Sequence, residues 1–278
     1  MTSRPIRACI MGHPVKHSRS PKLHGHWLRT LGIAGEYTLA DVRPDDVAVF
    51  IRALGANGYA GGNVTVPHKV AALGAVDRVE PEAAAIGAVN TLWFEDGQLV
   101  GGNTDVYGFL ASLDQDAPGW DARNGRAVVL GAGGAARAIV YGLLGRGFSV
   151  AIVNRTVEKA EALAGHFGRG ATAAGWGALP ALLPGCDLLI NTTSLGMTGS
   201  APLPIMLDGL PREAVVFDAV YVPLETPLLA AARARGNRAV DGLGMLLHQG
   251  VPGFERWFGV RPAVTPALRA VIEDDLVS

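Results

Sequence analysis

Residues 126–138 read Arg-Ala-Val-Val-Leu-Gly-Ala-Gly-Gly-Ala-Ala-Arg-Ala. The first five residues are a short apolar run stopped by glycine, the pattern of a strand buried in a sheet. Gly131, Ala132, Gly133, Gly134, Ala135 and Ala136 then follow the GxGxxA spacing of a dinucleotide-binding turn. The first glycine permits a tight turn, and the second lets the backbone approach a pyrophosphate. The small sixth position lets helix and strand pack closely, and the unpaired N–H groups at the helix start meet the anion. Val150–Val153 supplies the strand that must follow. A strand on each side makes this a Rossmann-like unit rather than a glycine-rich loop.

The end of that second strand selects the dinucleotide. NAD-binding chains usually place Asp or Glu there to accept from the ribose hydroxyls. This chain has Asn154, Arg155 and Thr156, with Lys159 one turn on. A carboxylate is absent and two cations are present at a helix start, where they oppose the macrodipole. A 2′-phosphate accounts for them, so NADP is the expected cofactor.

Outward from this unit, strands and helices alternate in both directions, which argues α/β. Upstream, Arg7–Met11 reads as a strand broken by Gly12-His13-Pro14, and Ser20-Pro21 as an N-cap with proline at the first helical position. Asp45–Leu54 and Pro67–Leu73 read as helices, and Ala88–Phe94 with Gln98–Val100 as a hairpin about Asp96-Gly97. Downstream come strands near 187–190, 214–218 and 238–240, and then helices from Met245 and Pro266. The expected division is a first domain over 1–104 with a mixed sheet, a dinucleotide-binding domain over 105–242, and C-terminal helices over 243–278 returning to the first domain.

Composition sets limits. The 278 residues are 49% hydrophobic and 18% charged with a net charge of −1, so a packed core is expected and nucleic acid or membrane surfaces gain no support as partners. The start, MTSRPIRACIMGHP, lacks the apolar stretch of a secretory signal, and no apolar run approaches the roughly 18 residues of a membrane span. Cys9 and Cys186 each sit in an apolar run, which suits free thiols in a reducing cytoplasm.

Four lysines stand against twenty arginines. Arginine stays protonated, whereas a lysine pKa moves with its surroundings, so lysine can exchange a proton near neutrality. Lys69 closes the run Asn63-Val-Thr-Val-Pro-His-Lys69 and is expected in the first turn of a helix opened by Pro67. Ser18 and Ser20 flank Arg19 at another helix start, a small anion site. Thr65 follows Asn63 at a strand end, Asn90 ends a strand, and Asp105 follows Asn103-Thr104 at a helix start. Read alone, Asp105 is an N-cap and Lys69 a surface lysine. His13, His17, His24 and His26 cluster, but no cysteine or carboxylate completes a four-ligand set beside them, so no metal is expected.

Together these segments resemble the shikimate dehydrogenase family over nearly the whole chain. The matches are SRSP (18–21), NVTVPHK (63–69), GAVNT (87–91), NTD (103–105), GAGGAARA (131–138), NRT (154–156), NTTSLGM (191–197), Asp218 with Tyr221 and Pro223, and DGLGMLLHQ (241–249). The resemblance implies NADPH-dependent reduction of 3-dehydroshikimate to shikimate, in a cytoplasmic enzyme of aromatic amino-acid biosynthesis. It implies Lys69 and Asp105 as the catalytic pair. Ser18, Ser20, Thr65, Asn90, Tyr221 and Gln249 hold the substrate, and Asn63 supports that wall. The glycine loop with Asn154, Arg155, Thr156 and Lys159 grips the cofactor, and backbone near Ala219 and Gly242 lines the nicotinamide side. The expected partners are the small-molecule substrate and, as a homodimer, a second copy of the chain; the family resemblance also implies no metal.

This chain departs from the family pattern in three places. Val106-Tyr107 stand before Gly108 where glycine often follows NTD directly, which narrows the turn beside Asp105. Lys159 stands where arginine is common, and Lys16 adds a cation beside the anion site. Two rival readings are an NAD-linked quinate/shikimate dehydrogenase, opposed by Asn154-Arg155, and a non-catalytic NADPH sensor, which would be free to lose Lys69 or Asp105.

Overall fold

The computed structural model describes residues 5–122 and 125–276; the first four residues of the leader reading and the last two of the 243–278 segment lie outside the described residues. The chain divides into two compact units. The first gathers the described residues through Asp105 together with those from Leu247 onward, and the second runs from Val106 to Leu246.

In the first unit, β1 (Ile6–Gly12) leads to α1 (Ser20–Thr30), β2 (Gly35–Asp41), α2 (Val47–Arg52), β3 (Gly61–Val64), β4 (Arg78–Val79), α3 (Pro81–Ile86), β5 (Thr91–Glu95) and β6 (Gln98–Gly102). The sheet order is β2-β1-β3-β5-β6-β4. β1 pairs parallel with β2 and β3, while β5 runs antiparallel to β3 and to β6. This mixture positions the site. The C-terminal ends of β1, β3 and β6 and the start of β5 fall on one edge of the sheet, so Gly12, Thr65, Asn90 and Asn103 share that edge although they are distant in sequence. The β5–β6 hairpin turns at Asp96 and Gly97, with φ of 50° and 79°, the left-handed pair that a two-residue turn requires.

The second unit contains α4 (Asp105–Asp116) from its second residue, β7 (Arg126–Leu130), α5 (Gly134–Gly145), β8 (Ser149–Val153), α6 (Val157–Phe167), β9 (Ala171–Ala174), α7 (Leu179–Leu182), β10 (Leu188–Asn191), β11 (Val215–Asp218), α8 (Pro227–Arg235) and β12 (Arg238–Val240). Its strands are all parallel in the order β12-β11-β10-β7-β8-β9, the doubly wound Rossmann arrangement. Alternate residues of each strand enter opposite cores: Ala127 and Val129 of β7 pack with Phe109, Ile139 and Phe217, and Val128 and Leu130 with Leu183, Leu210 and Leu229. A sheet buried on both faces is what near-continuous apolar strands demand. α9 (Gly242–Phe258) begins in this unit and ends in the first, where α10 (Pro266–Leu276) packs near α1. Among the described residues, no helix is long and apolar enough to cross a membrane.

Two expected elements form differently. Pro67–Leu73 is not a helix: the Val66–Pro67 peptide is cis, the chain turns, and only Ala71–Gly74 forms a short 3-10 turn. The Lys69 carbonyl accepts from Val89 N (2.8 Å) and the His68 ring bonds the Val42 carbonyl (2.7 Å), so backbone and side chain are committed to neighbouring segments instead of a helix. Ser20 is not an N-cap either. The Arg19 carbonyl already accepts from Lys22 and Leu23, Ser18 Oγ takes the Ser20 N–H (3.2 Å), and the Ser20 side chain is buried inside the first turn.

The returning end of α9 is held by aromatic packing. His24 stacks on Tyr37 (centroids 4.0 Å apart) and Phe254, with Trp27 and Trp257 closing the cage. The Trp257 indole donates to the Leu92 carbonyl (2.8 Å), and it reaches that carbonyl because residue 61 is glycine. A Cβ on Gly61 would lie 2.2 Å from Trp257 Nε1 and 2.3 Å from Leu92 O. Gly61→Ala is therefore expected to expel the indole and destabilise the protein by about 1–3 kcal/mol, read as a lowered denaturation midpoint with unchanged m-value.

Full burial of the ring pushes the His24 imidazole down to about 3, from an ordinary 6.5, and the neighbouring Asn63 side chain opposes the shift. Between those values the unfolded chain binds a proton that the folded chain refuses. The stability this provides is complete above pH 6.5 and is lost as pH falls toward 3, at about 1.4 kcal/mol per pH unit from this group. Urea unfolding at pH 6.5 and pH 5 is expected to differ by about 2 kcal/mol more in the native protein than in His24→Phe, which keeps the stack and removes the titration.

Candidate active site

The sheet edge brings two loops together first. β1 ends in Gly12, and a Cβ there would lie 2.4 Å from Thr65 Cγ2, so only glycine lets the two strand ends close up. His13 N donates to the Val66 carbonyl (3.1 Å) and Thr65 N to the Met11 carbonyl (2.9 Å). The end of β1, from which the chain runs on to Ser18–Ser20, is thereby joined by backbone to the Asn63–Lys69 segment. Ser18 and Thr65 are half-buried and Ser20 is buried.

Lys69 Nζ forms an ion pair with Asp105 Oδ2, and the two side chains are only 14% and 6% exposed. Neither behaves as its residue type does alone. Lys69 is not a solvated surface lysine, and the Asp105 carboxylate is committed to side chains outside its helix, while Asn103 Oδ1 accepts the Asp105 backbone N–H (2.9 Å). The carboxylate receives Asn90 Nδ2 on its other oxygen (2.8 Å). Asn103 in turn donates to the Ala88 carbonyl (2.9 Å), fixing the loop before α4. The result is a buried carboxylate with both oxygens occupied and a largely shielded ammonium held against one of them. Val106, the residue after Asp105, is buried, and a Cβ on Gly142 of α5 would lie 3.2 Å from its Cγ1.

Asn63 sits behind the pair, its amide bonded to the Asn90 carbonyl and Thr91 Oγ1 (3.2 Å each). Gln249 lies half-buried on α9 in the part assigned to this unit. Tyr221 belongs to the second unit, on the loop after β11. Lys16 and His17 are exposed, His13 bonds Asp41 (2.9 Å), and among the described residues no three metal-ligating side chains cluster.

In the second unit the glycine loop has two kinds of glycine. Gly131 adopts φ of 111°, and a Cβ there would strike Thr192 Oγ1 at 2.5 Å, so the fold itself demands it. Gly133 has ordinary φ and nothing within 4 Å of its missing Cβ. The fold does not require glycine there, whereas a close-lying pyrophosphate does. Ala132 and Ala135 are half-buried beside the N-terminus of the twelve-residue α5, and Ala136 is fully buried where helix meets sheet. These features fit a dinucleotide.

Asn154 follows β8 and folds its amide onto the Thr156 carbonyl (2.8 Å), shaping the turn into α6. Arg155 and Lys159 are exposed, and neither pairs with a carboxylate among the described residues. Asp218 is a buried structural anchor, accepting from Asn191 Nδ2 (2.9 Å), Thr226 Oγ1 (2.7 Å) and Val220 N (3.0 Å); burial pushes its pKa up and these bonds oppose the shift. Anchored next to it, Ala219 meets Gly242 so closely that a Cβ on Gly242 would lie 2.3 Å from the Ala219 carbonyl.

Thr91, Thr104 and Tyr37 belong to the hydrogen-bonded surroundings of the pair and were not singled out by sequence reasoning. Thr91 and Thr104 lie within or beside motifs already quoted. Tyr37 has a weaker signal, a tyrosine at an inward strand position, whose hydroxyl needs a partner when buried.

Three family models match the chain: the shikimate dehydrogenase substrate binding domain over residues 10–92, shikimate / quinate 5-dehydrogenase over 114–198, and the shikimate 5′-dehydrogenase C-terminal domain over 242–272. A shikimate dehydrogenase (NADP(+)) of Mesorhizobium japonicum is 61% identical over 100% of this chain and 99% of its own length. Its counterpart in Azorhizobium caulinodans is 57% identical over 98% and 97%. The crystal structure of the Thermus thermophilus shikimate 5-dehydrogenase with NADP(H) and shikimate superposes with a TM-score of 0.85 at 36% identity, covering 98% of both chains. Quinate dehydrogenase of Corynebacterium glutamicum in complex with NAD gives 0.89 at 29% identity, covering 97% of this chain and 99% of its own. With relatives at this level across its full length, the chain belongs to the NADP-dependent shikimate dehydrogenase family.

Proposed function

We propose that this chain reduces 3-dehydroshikimate to shikimate with NADPH, and that Lys69 delivers the proton. The observation that carries the reading is the buried Lys69–Asp105 pair, set at the sheet edge that also bears Ser18, Ser20, Thr65 and Asn90. Bound NADPH supplies the hydride. As that hydride reaches the ketone carbon, negative charge develops on the oxygen, and an ammonium in a water-poor site both stabilises that charge and surrenders a proton to it. Asp105 holds the ammonium in place, and Asn90 holds Asp105.

The substrate roles follow the same edge. Ser18 and Ser20 present hydroxyls at the start of α1 for the carboxylate, with Thr65, Asn90, Tyr221 and Gln249 as partners for the carboxylate and ring hydroxyls. Residues 1–104 with the C-terminal helices form the substrate-binding part, and 105–242 the NADP-binding part. In the latter, Gly131 to Ala135 hold the pyrophosphate, Asn154, Arg155, Thr156 and Lys159 the 2′-phosphate, and Ala219 with Gly242 the nicotinamide side. The enzyme acts in the cytoplasm, as a homodimer, without nucleic-acid partners.

Lys69→Ala is expected to lower kcat by about 10²-fold or more while leaving the Kd for NADPH nearly unchanged. Retained kcat would remove Lys69 from the chemistry. Arg155→Ala is expected to raise KM for NADPH by roughly tenfold or more, the worth of one charge-assisted bond to phosphate, and to leave KM for NADH within about twofold. Equal effects on both cofactors would show that Arg155 does not read the 2′-phosphate.

A further inference from the structure

The hydrogen bonds that reach Asp105 begin well away from it, and their direction is fixed by groups with no choice of role. Asn90 Oδ1 accepts the Thr104 backbone N–H (2.8 Å), which can only donate, so Asn90 Nδ2 must face the Asp105 carboxylate. Asn63 is fixed in the complementary sense. Its Nδ2 donates to the Asn90 carbonyl, which can only accept, so its Oδ1 is turned toward Tyr37. The Tyr37 hydroxyl must then be the donor across their 2.6 Å contact. Thr91 Oγ1 takes an N–H from Asn63 (3.2 Å) and gives its own proton to Asn90 Oδ1 (2.8 Å). Every proton from Tyr37 through Asn63, Thr91 and Asn90 thus points toward Asp105. Tyr37, Asn63, Thr91, Asn90 and Asp105 are each buried, so water cannot replace a missing link at low cost.

We propose that Tyr37 is a positioning residue for catalysis: its hydroxyl locks the Asn63 amide and, through Thr91 and Asn90, holds the Asp105 carboxylate against Lys69. The inference deepens the reading of Lys69 and Asp105 as the catalytic pair and rests on it. The ring and the hydroxyl of Tyr37 do separate jobs. The ring stacks on His24 (4.0 Å) and packs beside Trp257, which a phenylalanine reproduces. The hydroxyl adds nothing to that stack. Removing it leaves Asn63 Oδ1 buried without its donor, and the cost falls on the polarity of the network.

The test is shikimate oxidation by the full chain, followed by NADPH absorbance, in Tyr37→Phe, Asp105→Asn and the double variant. Tyr37→Phe is expected to lower kcat by roughly tenfold, in the range for one lost buried hydrogen bond, with KM for shikimate and NADP within about twofold. In the Asp105→Asn background the same change is expected to cost little more, because its effect passes through the group already altered. Thr91→Val cuts the network at its middle without touching the aromatic stack and is expected to give the same drop confined to kcat. Undiminished kcat in Tyr37→Phe or Thr91→Val, or an equal further loss in both backgrounds, overturns the inference while Lys69 and Asp105 stand. Undiminished kcat in Asp105→Asn overturns the catalytic pair, and the inference with it.

Discussion

A charge taken out of water must be compensated where it lies, and the Lys69–Asp105 pair imposes that requirement on the first unit. Removing either partner would strand the other in a site where both are largely shielded from solvent. Mutual attraction alone does not offset the desolvation of two ions, so the remaining lone pairs need donors. Asn90 supplies the donor to the carboxylate, and Asn103 fixes the backbone at Asp105 by accepting its N–H. Every other structural feature near the site can be read as holding these few groups still.

The mixed sheet is how a linear chain delivers them. A wholly parallel sheet would place one strand end per crossover at the working edge. Reversing β5 between β3 and β6 instead brings the beginning of one strand and the ends of its two neighbours to the same place. Asn63, Asn90 and Asn103 fall into adjacent register there, with Asn63 opposite Thr91 and Thr91 opposite Gly102. Three amides from three segments can then bond to the threonines and the carboxylate between them and to backbone that has no alternative partner. The same sheet is backed by Trp257 and Phe254 of α9, whose approach depends on glycine at 61 and, on the helix itself, at 253, where a Cβ would lie 2.7 Å from the Trp257 ring. Packing on one side and polarity at the edge are thus parts of one arrangement.

Local patterns made the second unit legible. Apolar strands, one glycine turn and the absence of a carboxylate after β8 are statements about neighbouring residues, and β7, α5 and β8 form where those patterns place them. Composition and motif order likewise disclosed the α/β class and the list of polar residues at the first site. What escaped was set by partners far along the chain. Pro67 reads as a helix start, but Val42 and Val89 claim the groups that a helix would use. Ser20 reads as a cap, but its neighbours Ser18 and Arg19 take over the helix start and its own side chain is buried. The two-residue β4 and the alanine-rich β9 have too little pattern to announce themselves, and exist because β6 and β8 offer them an edge.

The scarcity of lysine is instructive for the same reason. It draws attention to Lys69, yet the other three lysines are equally rare and sit in quite different surroundings. Lys22 is partly exposed and pairs with Asp275 of α10 (2.7 Å), beside an Arg19 bridge to the same carboxylate. Lys16 and Lys159 are exposed. An arginine could replace Lys22 in a partly solvated ion pair at little cost, since its charge and reach suffice there. At Lys69 the surroundings are different in kind: the ammonium is largely shielded and held against a carboxylate whose other oxygen is already committed to Asn90. Rarity in composition cannot distinguish these cases, because what separates them is whether the neighbours leave the amine any other partner, and that is decided by strand order and register.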